Sequence, residues 1–375
     1  MAYRILALLA APLCGWLAPA RAAADVALGP YLLLGGAHEI DVAWQSDDAG
    51  GAVNWGTDAQ QLNHALPAVR DPRGFFRVRL TDLPSKTTCY YRVRSGDATG
   101  ETYAFVSPGG PDDSFVLAAY GDSRTHSDQH AKVVAALARE NADLLAHTGD
   151  FVESNFPVHW RDFFRVAAPL LRRMPLLPAK GNHEMYPPAE LVHPFFDWYF
   201  RPWSRPAEAA SRYVVQYDGV RFIVVDSNIS CDPGSAQHRW LKAALAAAAD
   251  APDVRFRIVE THLCPYSVGA HASDENVLAF RRATSPLFKE YKVDVVLSGH
   301  DHNYQRYLVD GVQYFVLGGG GAPLYDAMAQ PPWPGIFRKT LNYARIEASP
   351  AQLHIVARQA DGEVIEQLDV PARGH

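Results

Sequence analysis

The chain lacks an excess of basic residues, has little cysteine, and carries only one long apolar run. Each shortage removes a class of protein. Its 375 residues include 35 Lys and Arg against 41 Asp and Glu, a formal net charge of −6. Such a balance has no basic field of the kind that drives nucleic-acid binding. Four cysteines are too few for a disulfide-stapled scaffold. No internal repeat or low-complexity segment interrupts an ordinary globular composition, 48% hydrophobic and 20% charged.

The apolar run lies at the start. Arg4 precedes residues 5–17, and small residues follow at Ala18-Pro19-Ala20-Arg21-Ala22. This pattern reads as a signal peptide over residues 1–24, cleaved near Ala22 or Ala24. It is short for a spanning helix, which needs about 20 residues. The expectation is an exported protein, periplasmic or secreted, with no membrane span in its mature chain. Removing Arg4 and Arg21 leaves 33 basic residues against 41 acidic ones, a net charge of −8. Cys14 leaves with the leader, so Cys89, Cys231 and Cys264 permit one bridge at most. Cys231 and Cys264 both follow expected strands of the larger region and are the favoured pair. Cys89 lies in an alternating run and reads as a buried thiol.

Residues 25–108 read as all-β. Ile40-Asp41-Val42-Ala43-Trp44, Phe76-Arg77-Val78-Arg79-Leu80 and Tyr90-Tyr91-Arg92-Val93-Arg94 alternate, with turn clusters between them. Short strands at that spacing suggest a small β-sandwich with Trp44 and Tyr91 in its core. A linker rich in turn formers spans residues 107–113. From 114 to 375 the pattern changes. Strands at 115–120, 142–146, 176–179, 254–260, 293–297 and 314–317 alternate with helices at 131–141, 160–171, 236–249 and 279–291. A hairpin turns about Asp218-Gly219. Such alternation argues for a layered α/β region with helices on both faces.

One arrangement repeats through that region: an apolar strand, a turn residue, then a metal-ligand side chain. It places Asp122, Asp150, Asn182 with His183, His262, and His300 with His302. Taken singly, Gly149-Asp150 reads as a turn or a helix cap. His262 reads as a core histidine bonded to a backbone carbonyl. Five strand ends of the same kind instead describe a metal site at the carboxyl edge of a sheet. A pair of divalent ions needs one bridging anion plus neutral nitrogen and oxygen ligands, since too many carboxylates quench Lewis acidity. A His-x-His-x-Asp-His cluster, which a metallo-β-lactamase-like hydrolase would carry, does not occur.

The set Gly121-Asp122, Gly149-Asp150, Gly181-Asn182-His183-Glu184, His262 and Gly299-His300-Asp301-His302 resembles the calcineurin-like metallophosphoesterase superfamily. Pro265-Tyr266, Asn303-Tyr304-Gln305-Arg306, and Gln237 with Trp240-Leu241 resemble its purple acid phosphatase branch. The resemblance implies a four-layer α/β/β/α sandwich preceded by a fibronectin III-like β-sandwich. It implies two metal ions, iron, manganese or zinc, with Asp122 and His302 on the first. Asn182, His262 and His300 would hold the second, and Asp150 would bridge. His183 and His271 would serve the substrate, as would Asn182. The implied activity is hydrolysis of a small phosphomonoester by in-line attack of a metal-activated hydroxide. A phosphodiesterase or nucleotidase on the same core, or a non-catalytic exported binding protein, stands as the alternative. Two positions depart from the pattern: Glu153 occupies the place of the branch's metal-binding tyrosine, and Arg124 that of a frequent histidine. Arg124 suits a bidentate grip on phosphate. Glu153 is a candidate carboxylate for the first metal. Gly318 to Gly321 follow a strand and would let backbone approach the site.

Overall fold

The computed structural model describes residues 28–187, 193–201 and 211–373. The expected leader, residues 1–24, lies outside them. Alternating side chains in the first region form β1 (Leu28–Gly36), β2 (Glu39–Gln45), β3 (Gly51–Gly56), β4 (His64–Pro67), β5 (Val69–Arg70), β6 (Phe75–Leu80), β7 (Thr88–Ser95), β8 (Ala98–Thr99) and β9 (Tyr103–Val106). The α/β region opens with β10 (Phe115–Tyr120), α1 (Ser127–Leu137), β11 (Leu144–His147), α2 (Pro157–Leu171) and β12 (Leu176–Pro178). It continues through α3 (Phe195–Phe200), β13 (Tyr213–Tyr217), β14 (Val220–Val225), α4 (Ala236–Asp250), β15 (Phe256–Thr261), α5 (Glu275–Glu290) and β16 (Val295–Ser298). Six strands close the chain: β17 (Tyr304–Val309), β18 (Val312–Leu317), β19 (Gly335–Arg338), β20 (Asn342–Ala348), β21 (Gln352–Gln359) and β22 (Val364–Pro371).

Two large sheets face each other. One has ten strands in the order β22-β21-β20-β10-β11-β12-β1-β2-β6-β5, and the other seven, β13-β14-β15-β16-β18-β17-β19. Strands β10, β11 and β12 run parallel, as do β14, β15, β16 and β18. Period-two alternation sorts their side chains between layers. Leu117, Ala119, Leu144 and Ala146 meet Phe222, Val224, Ile258 and Leu297 between the sheets. Ala118, Tyr120 and Leu145 turn outward onto α1, α2 and α3. Ile223, Val259 and Val296 turn the other way onto α4 and α5. The result is the expected α/β/β/α order. Helix α2 shows why its segment is helical: Pro157 sits in the first turn, and Trp160, Phe163, Phe164, Ala167, Leu170 and Leu171 bury one stripe.

The N-terminal sandwich is present, and one of its two faces is the end of the ten-stranded sheet. Strand β1 pairs in parallel with β12 at Leu33↔Leu176, and β2, β6 and β5 extend from it. The five-stranded sheet, β4-β3-β7-β8 with β9 on β7, packs against that end. Trp44, Val53, Tyr91 and Phe105 therefore share one buried core with Leu117 and Leu297.

Two expectations need correction. Helices α1 and α5 each begin four residues before their expected positions; α1 stops at Leu137, and Asn141 beyond it takes a left-handed conformation (φ 51°). The Cys231–Cys264 bridge is not formed: Cys89, Cys231 and Cys264 are all free and buried. Each of the favoured pair has its own partner. Cys231 Sγ accepts from Gln237 Nε2 at 3.1 Å, and Cys264 Sγ donates to Asp301 Oδ2 at 3.7 Å. Among the described residues, no helix is long and apolar enough to cross a membrane.

Candidate metal centre

The loops that leave the carboxyl ends of β10, β11, β12, β15 and β16 meet in one place. Asp122 and Asp150 both adopt left-handed backbone angles (φ 55° each), as does His300 (φ 72°). These sharp turns swing the side chains off their strands and toward one another. Close approach demands glycine at two supporting positions. A Cβ on Gly299 would lie 2.2 Å from Asp122 Oδ2, and one on Gly320 2.1 Å from the Gly121 carbonyl. The Gly318–Gly321 tract thus braces the backbone of the Asp122 loop.

Backbone carbonyls aim the imidazoles. His262 Nδ1 lies 2.9 Å from the Thr148 carbonyl, which only accepts, so Nδ1 carries the proton. The lone pair on Nε2 then faces Asn182 Oδ1 at 2.9 Å and Asp150 Oδ1 at 3.3 Å. His300 Nδ1 stands 3.2 Å from the same Nε2. In the same way His302 Nδ1 donates to the Pro323 carbonyl at 2.8 Å, leaving Nε2 inward, 3.6 Å from Asp122 Oδ1. Acceptor atoms converging on acceptor atoms, all buried except the half-buried Asn182, form a donor set for cations. The residues present fit two ions. Asp122, Asp150 and His262 each bring a ligand atom within 4.8 Å of the others, and His271, Asp274 and His300 form a second such group.

Electrostatics separates the two carboxylates. Burial, then repulsion from Asp150, pushes the Asp122 carboxyl well above its ordinary range. Burial also works against Asp150, but His262, His183 and Arg124 outweigh it and hold that carboxyl low. Burial and the nearby Arg124 charge lower His302 to about 3, and burial lowers His262 and His300 too. In each case the shift favours the neutral imidazole that a metal ligand must be. The positive charge facing these carboxylates is Arg124. Its Nε lies 3.2 Å from Asp150 Oδ2, its Nη2 3.3 Å from His302 Nε2, and its Nη1 3.0 Å from Glu153 Oε2. Glu153, with 44% of its side chain exposed, is held by Arg124 and the Thr125 hydroxyl on the rim.

His183 stands beside the centre. Its Nδ1 donates to the Glu153 carbonyl at 2.6 Å, and its Nε2 lies 3.9 Å from Asp150 Oδ2. His271 is drawn in from the other side, its ring 4.3 Å from that of His300, with Nδ1 on Asp274 Oδ2 at 2.8 Å. Every site residue singled out in the sequence thus lies in or against one cluster. His130, by contrast, is a core histidine, bonded to the Tyr120 hydroxyl at 3.1 Å and stacked on Phe163.

A profile of the family described as calcineurin-like phosphoesterase matches residues 116–304, half of the chain. The chain belongs to that family. It is purple acid phosphatase-like within it. It is 27% identical over 238 residues to purple acid phosphatase 22 of Arabidopsis thaliana, covering 61% of this chain and 53% of that protein. It is 28% identical over 317 residues to purple acid phosphatase 1 of Ipomoea batatas, covering 77% and 66%. The chain thus spans about half to two thirds of these relatives' length. Among solved structures it superposes on a purple acid phosphatase, PPD1, from yellow lupin (Lupinus luteus) seeds. The TM-score is 0.78 at 20% identity, covering 91% of this chain and 74% of that one. That likeness shows the shared fold, including the N-terminal sheet ahead of the metallophosphoesterase sandwich.

Three residues of this metallophosphoesterase gained no role from the sequence. Glu184 is buried and accepts the backbone N–H of Asp150 (3.0 Å), Phe151 (2.9 Å), Val152 (3.3 Å) and Gly181 (2.7 Å). It clamps the Asp150 loop to the Asn182 loop. Burial and the Asp150 charge raise its carboxyl to about 8. Asp301 lies between the two histidines, turned the opposite way, and takes the His271 N–H at 3.0 Å and the Ser267 hydroxyl. Tyr325 stacks on His302, ring centroids 4.1 Å apart. The first two were visible as acids inside the motifs; Tyr325 had no sequence signal.

Proposed function

We propose that this protein is an exported, binuclear-metal phosphatase that hydrolyses small phosphomonoesters. The observation that carries the reading is the convergence of six donor side chains from two sheets, with imidazole lone pairs aimed inward by backbone carbonyls. Asp122, Asp150 and His302 would hold one ion, and Asp150, Asn182, His262 and His300 the other. Iron, manganese or zinc suits the mixed nitrogen and oxygen set. Such a pair, when bound, supplies a nucleophile from water near neutral pH and neutralises charge on phosphoryl oxygens.

The chain's own residues do the rest. Arg124 is poised to exchange Glu153 for a phosphate oxygen, because its Nη1 holds that carboxylate through a single bond to Oε2 at the exposed rim. His183 has Nδ1 fixed on the Glu153 carbonyl, so Nε2 is the free ring atom. Once the ring is doubly protonated, the Nε2–H is the proton it would hand to the leaving oxygen, returning His183 to the neutral Nδ1–H form. His271, oriented by Asp274 and Asp301, closes the opposite side around the substrate. Export rests on the leader pattern at residues 1–24.

The test is a panel of phosphomonoesters and phosphodiesters on protein reconstituted with defined metals, alongside a metal count. Two ions per chain and faster turnover of monoesters are expected. Preference for diesters would reassign the substrate to the phosphodiesterase alternative. A chain that binds no metal after reconstitution would instead be a non-catalytic binding protein.

A further inference from the structure

Helix α2 leads from the loop that carries Glu153 to the junction with the N-terminal strands. Its apolar stripe is consumed by the core. Its other side carries Arg161 and Arg165, one turn apart, and Arg172 and Arg173 follow directly past its end at Leu171. All four line one groove of about 540 Å³, whose floor includes Phe164, Ala168 and Pro169 and whose far wall includes Tyr103. It shares no residue with the candidate metal centre, and no carboxylate lines it. Four arginines in one groove, with only Arg165 paired to an acid, run against the composition of a chain of net charge −6.

The guanidinium groups are only partly engaged. Arg165 pairs with Asp162 at the surface, where such a pair contributes little. Arg172 lies over the Tyr103 ring at 5.1 Å, and its Nη2 reaches the Gly29 carbonyl only at 3.5 Å. Its Nε is buried and has no hydrogen-bond partner. The side chains of Arg161 and Arg173 have no hydrogen-bond or ion-pair partner among the described residues. At 1.5 Å per residue, Arg161 and Arg172 stand roughly 16 Å apart along the helix. One arginine pair marks each end, with an apolar floor between them.

We propose that this groove is a second, non-catalytic ligand site. It takes an extended anion: a small molecule carrying two or more phosphate or sulfate groups. A single phosphate engages one arginine pair; an extended anion engages both, each through forked charge-assisted hydrogen bonds. The site stands independently of the catalytic reading, since its test reads binding.

Metal-loaded protein is titrated by calorimetry with two probes, tripolyphosphate and sucrose octasulfate, the second having no phosphoester to hydrolyse. The Arg161→Ala/Arg173→Ala variant should weaken binding by about tenfold per arginine, while turnover of p-nitrophenyl phosphate is unchanged. The Arg161→Lys/Arg173→Lys variant, which keeps charge and helix propensity but loses the fork, should fall between. Tighter binding of one probe identifies the source as condensed phosphate or sulfated sugar. Wild-type affinity for both probes in the alanine variant overturns the proposal. So does loss of both probes in Asp150→Asn alone, which would place the ligand at the metal centre.

Discussion

Strands β10, β11 and β12 of the ten-stranded sheet deliver Asp122, Asp150 and Asn182, whereas β15 and β16 of the seven-stranded sheet deliver His262, His300 and His302. One sheet supplies the anionic and amide oxygens, the other the neutral nitrogens. Their supports differ in kind. The oxygen side is organised by a buried carboxylate, Glu184, which gathers four backbone N–H groups. On the nitrogen side, backbone carbonyls fix the tautomers of His262 and His302. The contrast teaches that charge is concentrated where it can be shared between two ions, while direction is controlled where the ligands are neutral. It also separates what a side-chain substitution can reach: Glu184 can be replaced, and the carbonyls of Thr148 and Pro323 cannot.

The sharpest way to break the comparison is Asp150→Asn. It removes the carboxylate proposed to bridge the two ions, so activity should fall by at least about 10³-fold, with both ions lost by elemental analysis. A variant keeping a tenth of wild-type activity would show that Asp150 does not bridge. His262→Asn should cost about 10²-fold and one ion per chain rather than two. Equal metal loss in both variants would erase the distinction between the sides.

Glu184→Gln sets amide hydrogens against backbone N–H groups and leaves at least two of them unpaired. Destabilisation of about 2–4 kcal/mol is expected in denaturant unfolding. Acid should loosen the oxygen side through its helix layer. Burial lowers His130 from 6.5 to about 3, so its contribution is complete above pH 6.5 and is lost as pH falls toward 3. Comparing the thermal midpoint of wild type with that of His130→Gln from pH 7 to 4 checks the sign, since wild type should fall more steeply. The smallest effect belongs to Asp301→Asn. It loosens only the loop before His271, and should raise KM severalfold with kcat nearly constant; a kcat loss as large as that of Asp150→Asn would make Asp301 part of the centre.

Much of this arrangement was legible in the chain. Each ligand-bearing strand is a short apolar run closed by a turn residue, and that local grammar survives folding because parallel strands must end where their buried face ends. What stayed hidden was long-range. Nothing near Leu33 signals that it pairs with Leu176, since a parallel partner leaves no mark in either strand. Cys231 and Cys264 sit at similar places in their loops, yet Gln237 and Asp301 satisfy each thiol locally, a competition that spacing does not record. Glu184 looked like one more acid of a metal motif. Only the four backbone N–H groups it gathers show that its oxygens are already engaged.

The pairing of β1 with β12 bears on how the chain is made. Synthesis releases β1 and β2 early, while the strand that receives β1 emerges far downstream. Until then the flank of β1 is an open template, and afterwards it becomes the cover for the flank of β12. A shortened chain beginning at the α/β region would carry all six donor side chains and still present that flank to other chains. Insolubility in such a truncation would thus report a missing edge guard rather than a damaged catalytic core.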